Sequence, residues 1–566
     1  MIYGIDLGTT NSLIARLVEG VPTAVPNAHG QVLTPSVVSL DEDDTLLVGQ
    51  IARERLVTQP ARTVGSFKRL MGTAQEVQLG KRSFKPEELS AMVLRSLKDD
   101  VRAATGEEVE EVIISVPAYF NDQQRRATRL AGELAGMKVR RLVNEPTAAA
   151  LFHGIHDRDA DSRFLVFDLG GGTFDVSILD RFSGIMEVRA TGGDSFLGGD
   201  DFTQAMLGLI ADKAGLSEAQ RTSKEVRPGL RHGAESAKRA LTTAASASVA
   251  LPTVLALPPV VVTAEDFERA CAPLLERLRA PVERALRDAR MRAAELSEIV
   301  LVGGATRMPM VRRLVAQLFG RLPARHPDPD QTIALGAAVC GGLVARDAAF
   351  EEMVLTDVCP HSLGTSVAEP DGRGGYVHDV FFPIIERNTV VPASRVRSVV
   401  TMADQQATLL VDVYQGEARL CAQNISLGAI ELAVPKRKAG EVQANIRFTY
   451  DINGILDVDV DIDGSDISRN LVIKRLAGDV SDEEVARRRA VLAELKVHPR
   501  QHEENRALVE RAERLFAQLL GDERQQVSRS LSQFNGALET QDPRVISEAR
   551  PRLGAALDML ERGEVW

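Results

Sequence analysis

Cysteine is scarce in this chain, with four in 566 residues: Cys271, Cys340, Cys359 and Cys421. None stands in a CxxC spacing or beside a histidine cluster. Neither a zinc site nor a disulfide framework is therefore indicated, and a reducing, cytoplasmic setting fits. No apolar stretch reaches the roughly 18–20 residues that a membrane-spanning helix needs. The opening residues, Met1-Ile2-Tyr3-Gly4-Ile5-Asp6, lack the basic and long apolar regions of a signal peptide and read as a strand entering the fold. Positive charge is in deficit, and a net charge of −11 argues against a protein held on nucleic acid through its phosphates. GxxxxGK[ST] and a strand-borne GxGxxG are both missing, so neither a P-loop nor a dinucleotide fold is supported.

What the chain has instead is one pattern written twice. Tyr3-Gly4-Ile5-Asp6-Leu7-Gly8-Thr9-Thr10 and Val166-Phe167-Asp168-Leu169-Gly170-Gly171-Gly172-Thr173 are each an apolar strand ending in an acid and then a Gly/Thr turn. A second apolar run follows each turn, at Ser12–Ala15 and Val176–Leu179. Glycine lets a backbone N–H approach a phosphate closely, threonine adds a hydroxyl donor, and the acid can hold a hydrated Mg²⁺. A third glycine turn, Val302-Gly303-Gly304-Ala305-Thr306-Arg307, also follows an apolar strand. One such turn alone reads as a structural hairpin; two related hairpins and a third turn suggest two lobes clamping one nucleotide.

Residues 1–350 alternate apolar strands (112–116, 164–167, 299–302) with helical patterns, the mark of an α/β sheet covered by helices. A helix is predicted from about Asp122, capped by Asn121 or Asp122. Residues 351–358 read as a short linker, and residues 359–478 as recurrent strands. The best hairpin there surrounds Asp451-Ile452-Asn453-Gly454, with Leu456, Val458, Val460 and Ile462 on one face and Asp457, Asp459 and Asp461 on the other. Residues 479–566 turn helical, from a capping box at Ser481–Glu484, with punctuation at Pro499, Gly521 and Asp542-Pro543.

Three strand-end glycine loops, acids at the first two, resemble the ATPase superfamily of actin, sugar kinases and DnaK-type heat-shock chaperones. Further segments resemble the chaperone branch: Phe67-Lys68-Arg69-Leu70-Met71-Gly72, Val116–Asp122, Asn144-Glu145-Pro146-Thr147, Phe196–Phe202, Ser362-Leu363-Gly364, Ile385–Thr389 and Tyr414–Glu417. The resemblance implies a two-lobed actin-like α/β ATPase domain, a β-sandwich peptide-binding domain and a short α-helical lid. It implies an ATP-dependent chaperone that binds extended apolar segments of unfolded proteins. A small-molecule kinase of the superfamily, or a regulatory nucleotide binder with little turnover, remain the alternatives.

The family also implies roles for residues. Thr9, Thr10, Gly171, Gly172 and Thr173 would cradle the phosphates of ATP or ADP. Asp6 and Asp168 would hold Mg²⁺ through waters, and Asp6 with Asp175 would help bind K⁺. Lys68 would supply the cation at the transferring phosphate and Glu145 would orient water; taken alone, Lys68 reads as a solvated lysine and Glu145-Pro146 as a helix start. Glu235, Lys238 and Arg239, at i, i+3 and i+4 on one helix face, would meet ribose and adenine, together with Gly303, Gly304, Arg307 and Asp330. Ala305 departs from the polar side chain that many relatives carry.

For coupling, the resemblance implies Leu355 in the linker, and Asp357, Arg141 and Asn144 where a J-domain co-chaperone engages. Val399, Met402, Leu409 and Val411 are candidate peptide contacts, with Ala368 beside Met402 as an arch candidate, although alternating apolar residues are as readily core. The chain is short between Gly72 and Glu87 and uncharged between Thr243 and Thr263, which resembles the specialised bacterial HscC-like branch and implies no need for the general nucleotide-exchange factor.

Overall fold

Strand β1 (Ile2–Asp6) is buried along its whole length, because it lies at the middle of a sheet covered on both faces. The computed structural model of the protein describes residues 1–42, 45–154, 162–182, 185–323, 328–346, 354–372, 375–451, 456–473, 503–519 and 521–562. The chain forms two compact units, the first running from Met1 to His361 and the second starting at Ser362.

The first unit repeats one sheet plan. β1 turns back antiparallel into β2 (Asn11–Val18), which pairs with β3 (Val21–Ala24); on its other side β1 runs parallel to β4 (Glu111–Val116), and β4 parallel to β5 (Lys138–Asn144). Helix α1 (Asp122–Leu134) joins β4 to β5, and the Asn121 side chain accepts from Gln124 N at its start. Helix α2 (Glu145–Gly154) follows β5 directly. In the second lobe β6 (Ser162–Leu169) turns back into β7 (Phe174–Phe182), β7 pairs with β8 (Ile185–Asp194), and β6 runs parallel to β9 (Glu298–Val302). Helices α3 (Gly199–Lys213) and α4 (Arg227–Ala240) cover this lobe. The two hairpins read from the glycine turns are thus equivalent parts of duplicated sheets.

Each lobe has its own core, Tyr3, Ile5, Leu94, Val112 and Ile114 in the first and Phe167, Phe174, Ile178, Phe202 and Leu301 in the second. Helix α5 (Thr332–Ala345) is apolar all round and packs into the interior against β1 and α2. The approach is so close that a Cβ at Gly336 would stand 1.7 Å from the carbonyl oxygen of Ala148.

Of the segment read as a linker, residues 351–353 lie outside the described residues. Val354–Val358 form strand β10, parallel to β8 with Val354, Leu355 and Thr356 opposite Ile185, Met186 and Glu187. The sheet order of the second lobe is therefore β9-β6-β7-β8-β10.

The second unit contains two four-stranded antiparallel sheets. One has β11 (Leu363–Pro370), β12 (Tyr376–Ile385), β14 (Thr408–Gln415) and β15 (Ile425–Ala433) in the order β12-β11-β14-β15. The other has β13 (Ala393–Val400), β16 (Gln443–Tyr450), β17 (Leu456–Ile462) and β18 (Ser468–Ile473) in the order β13-β16-β17-β18. The alternation read in β17 is present, with Leu456, Val458, Val460 and Ile462 buried. Asp457 is buried too, because Asn470 of the neighbouring β18 covers it and donates to its Oδ1 at 2.5 Å. The turn residues Ile452, Asn453 and Gly454 lie outside the described residues, as do Ser481–Glu484 and Pro499. Helices α6 (Glu503–Gln518), α7 (Gly521–Thr540) and α8 (Pro543–Arg562) share a core of Ala512, Leu515, Val527, Phe534, Leu538, Leu553 and Leu557. Among the described residues no helix is long and apolar enough to cross a membrane.

Candidate functional site

The three glycine turns meet. A Cβ placed on Gly171 would fall 2.0 Å from Thr10 Oγ1, and one on Gly172 would fall 2.8 Å from Thr9 Oγ1, so only glycine lets the two hairpin turns face each other at this range. A Cβ on Gly303, with φ +83°, would fall 2.4 Å from Leu169 O and 2.8 Å from Asp168 Oδ1, and one on Gly304 would fall 2.9 Å from Asp330 Oδ1. Thr9 and Thr173 are both buried at this junction.

Beneath the turns four carboxylates surround one ammonium. Lys68, carried on the tight helical turn Phe67–Leu70, donates from Nζ to Glu145 Oε1 at 2.8 Å and stands 5.5 Å from the centre of the Phe120 ring. Asp6 accepts from Ser115 Oγ at 2.8 Å, and Asp175 Oδ1 accepts from the Tyr119 backbone N–H at 3.0 Å. Asp168 Oδ2 is buried with no hydrogen-bond partner. Burial, and after it the charge of Glu145, raises the Asp6 carboxyl to about 7 and Asp175 likewise to about 7; the same two causes hold Asp168 well above the carboxylate range. A site with this excess of buried carboxylate and an orphaned oxygen suits a hard cation. Among the described residues no three such side chains stand close enough to enclose an ion, so a Mg²⁺ here would keep much of its water shell.

A second group lies on α4. Glu235 pairs with Lys238 Nζ and Arg239 Nε, each at 2.7 Å, and accepts from Thr203 Oγ1 at 2.6 Å. Burial pushes the Glu235 carboxyl up, but Lys238 and the hydrogen bonds from Lys238, Thr203 and Arg239 outweigh it and hold the group at about 2. Lys238 also donates to Gly199 O at 2.9 Å. A Cβ on Gly199 would meet the Ala305 methyl at 3.4 Å, which brings α4 and the third glycine turn to one place. On that turn Arg307 pairs with Asp330 at 2.5 Å. The ordered i, i+3, i+4 set is thus an ion-paired helix face and also a wall of this site.

The coupling candidates come together in part. Asn144 Nδ2 donates to both Asp357 oxygens, at 3.1 and 2.9 Å, and Asn144 Oδ1 accepts from Arg125 at 2.6 Å. Arg141 lies on the same strand as Asn144, its Nε buried without a partner. Leu355 is paired through the backbone with Met186. The peptide candidates divide between the two sheets: Val399 on β13, Leu409 and Val411 on β14, with Val411 1% exposed and Met402 41% exposed. Ala368 is half-buried on β11.

Sequence reasoning missed two features. Arg69 joins Asp201 at 3.1 Å and Ser66 Oγ donates to Asp200 at 2.6 Å, tying the Lys68 turn to the start of α3. Arg125 is wholly enclosed and donates to the carbonyls of Ala118 and Phe120, which fixes the loop carrying Tyr119. Both segments stand out in the sequence, but only the fold reveals who faces whom.

A family model described as Hsp70 protein matches residues 2–79 and 73–561. The chaperone protein DnaK of Thermotoga petrophila is 39% identical over 485 residues, covering 83% of this chain and 80% of that relative. The DnaK proteins of Thermotoga maritima and Thermotoga neapolitana match to the same extent.

Proposed function

The chain belongs to the Hsp70 family and is an ATP-dependent chaperone with ATPase activity, and from that premise we propose how its residues divide the work. Proteins of this family bind ATP or ADP with Mg²⁺, take unfolded polypeptide and act with J-domain co-chaperones. Residues 1–350 would be the actin-like nucleotide-binding domain, 351–358 the linker, 359–478 a β-sandwich that holds peptide, and 479–566 a helical lid.

The nucleotide phosphates are assigned to Thr9, Thr10, Gly171, Gly172 and Thr173, and the nucleoside to Glu235, Lys238, Arg239, Gly303, Gly304, Arg307 and Asp330. The single observation that carries this assignment is the meeting of the Thr9-Thr10 and Gly171-Gly172 turns above the Lys68–Glu145 pair. Mg²⁺ suits Asp6 and Asp168 through water, and K⁺ suits Asp6 with Asp175. When bound, the divalent ion neutralises charge on the phosphates. Lys68 adds a compact cation and Glu145 aligns the attacking water, with Thr173 a further donor to the γ-phosphate. Val399, Met402, Leu409 and Val411 are assigned to peptide, and Arg141, Asn144, Leu355 and Asp357 to coupling between ATP and peptide.

The short stretch between Gly72 and Glu87 and the uncharged one between Thr243 and Thr263 support placement in the HscC-like branch and nucleotide exchange without the general exchange factor, and four cysteines with no CxxC spacing fit work in the cytoplasm. Steady-state phosphate release with and without an unfolded peptide tests the whole reading. Turnover that rises with peptide is expected. Undetectable turnover under both conditions would leave only a nucleotide-binding protein.

A further inference from the structure

Two loops of the second unit are stitched into a single platform. One, residues 401–407, leaves β13 and enters β14; the other, residues 434–442, leaves β15 and enters β16. Thr401 N donates to Val442 O at 3.0 Å, and Gly440 N donates to Thr401 O at 2.7 Å from a backbone at φ +81°. Gln405 N donates to Arg437 O at 2.8 Å, and Val434 N to Ala407 O at 3.0 Å. Asp404 Oδ1 accepts from Ala439 N at 2.9 Å. Each loop thus satisfies backbone groups of the other, which fixes the one against the other.

The second loop carries Lys436, Arg437 and Lys438, three consecutive cations, all exposed. Among the described residues none of their side chains is in an ion pair or a hydrogen bond. The two acids of the platform are turned to its backbone instead: Asp404 to Ala439 N, and Glu441, whose Oε2 accepts from Lys438 N at 3.2 Å. The next acids along the sheet, Asp463 and Asp466, sit on the turn after β17, two strands from β13 and so roughly 10 Å away at ordinary strand spacing. Salt screens exposed charges over that distance. The platform is therefore a cationic spot on a chain of net charge −11. Beside it stand Val400 and Met402, both exposed, with Met402 N donating to Gln406 Oε1 at 3.0 Å.

We propose that Lys436, Arg437 and Lys438 select the polypeptide this unit takes, favouring extended segments whose apolar residues are flanked by aspartate or glutamate. The inference rests on the reading that Val399 and Met402 meet peptide, and adds to it the charge of the segment. The apolar core of a segment would sit against Met402 whatever its flanks carry, and the residues beside that core would pass the loop bonded to Thr401 and Gln405. A carboxylate there gains the attraction of three exposed cations, and an ammonium is repelled. The long stems of lysine and arginine let the charged heads reach a passing chain while they stay in water. Attraction of this kind also steers the encounter, so acidic flanks should raise the association rate and lose their advantage in salt. Nucleic acid is disfavoured as the occupant, since three cations on an otherwise acidic chain offer few phosphate contacts.

The test uses the full chain in the ADP state with fluorescein-labelled peptides of one leucine-rich core, flanked by aspartates, asparagines or lysines. At low ionic strength the wild type should bind the aspartate-flanked peptide about tenfold more tightly than the lysine-flanked one, as a few screened surface pairs can supply. Added salt should shrink the difference, mainly by slowing association of the aspartate-flanked peptide. Lys436→Gln, Arg437→Gln and Lys438→Gln together should bring the three peptides level. Lys436→Glu, Arg437→Glu and Lys438→Glu together should reverse their order. All three positions are exposed and both variants keep the backbone bonds of the loop, so neither threatens the fold. A wild type with no charge preference, or one that favours lysine flanks, would overturn the proposal, as would a preference that survives charge reversal. So would a single-stranded oligonucleotide that displaces the aspartate-flanked peptide from the wild type and no longer binds once the three cations are neutralised. Failure of the wild type to bind any of the three peptides would overturn the peptide-binding reading instead.

Discussion

Lys68 and Glu145 form a buried ion pair at 2.8 Å, with 4% and 7% of their side chains exposed. Neither can lose the other without leaving a charge in a dry interior, where an uncompensated partner costs about 3–5 kcal/mol. Lys68→Ala should therefore abolish hydrolysis, lower thermal stability and spare ATP binding, since the threonines and glycine turns that hold the phosphates are untouched. Single-turnover hydrolysis and an equilibrium titration with nucleotide separate the effects. Hydrolysis within a few-fold of wild type would sink the assignment of Lys68.

Leu355→Asp should uncouple ATP from peptide. Leu355 is in register with Met186, which is 2% exposed, so β10 continues a sheet whose neighbouring position is interior. A carboxylate that docking of this strand takes out of water costs several kcal/mol, roughly that of burying an unpaired polar group or more. Each unit should still bind its own ligand, but ATP should cease to speed the dissociation of a labelled peptide. Asp357→Ala, which deletes both acceptors of Asn144, should weaken the same response less severely. Undiminished acceleration in Leu355→Asp would show that the strand is not the switch.

The duplicated hairpins were legible because a glycine turn after an acid-ended strand is a local pattern, and so was the Glu235, Lys238, Arg239 face, which follows from helical spacing alone. The assignments added by resemblance named residues but not whom they touch. That Lys68 selects Glu145, 77 positions away, depends on how the first lobe folds, and that Arg69 selects Asp201 depends on how the two lobes face one another. Residue 541 shows the limit most clearly. A glutamine between Thr540 and Asp542 reads as ordinary turn polarity, and only the docking of a helix corner on a strand edge gives it a partner. Asp457 was read onto an outer face and is buried, because Asn470, on the next strand of the same sheet, reaches across to it, a contact that no two-strand alternation announces.

The Glu235 cluster sets a pH dependence of stability. Its carboxyl, ordinarily at 4.5, is held at about 2 in the folded protein. A depressed value stabilises the fold above the unfolded value, and that contribution disappears as pH falls from 4.5 towards 2. The full shift corresponds to about 3 kcal/mol, and with 31% of the side chain open to solvent about 1–2 kcal/mol is expected. The stability difference between wild type and Glu235→Gln, from urea unfolding, should therefore be largest near pH 6 and shrink by pH 3. A difference constant over that range would contradict the pairing.

Arg69 should govern nucleotide release. Its guanidinium spans the cleft to both oxygens of Asp201, at 3.2 and 3.1 Å, and its stem lies where a Cβ on Gly172 would clash, 2.8 Å from Cγ. Asp201 is fixed in turn by accepting Gly198 N at 2.8 Å, so the tie joins the Lys68 turn to the start of α3 directly beside the glycine turn of the second lobe. A nucleotide held between lobes leaves when they part, and every contact broken in that opening slows it. The segment from Thr243 to Thr263 offers no charge for such a tie, whereas Arg69 and the Ser66–Asp200 hydrogen bond each supply one at the start of α3. Partly exposed ion pairs are worth about 0–1 kcal/mol, so Arg69→Ala should speed ADP release by about two- to fivefold. Arg69→Lys, which keeps the charge but loses the planar guanidinium and its reach, should fall between. Stopped-flow release of labelled ADP reads this directly. Release unchanged in Arg69→Ala, or slower than wild type, would place the barrier to exchange elsewhere in the cleft.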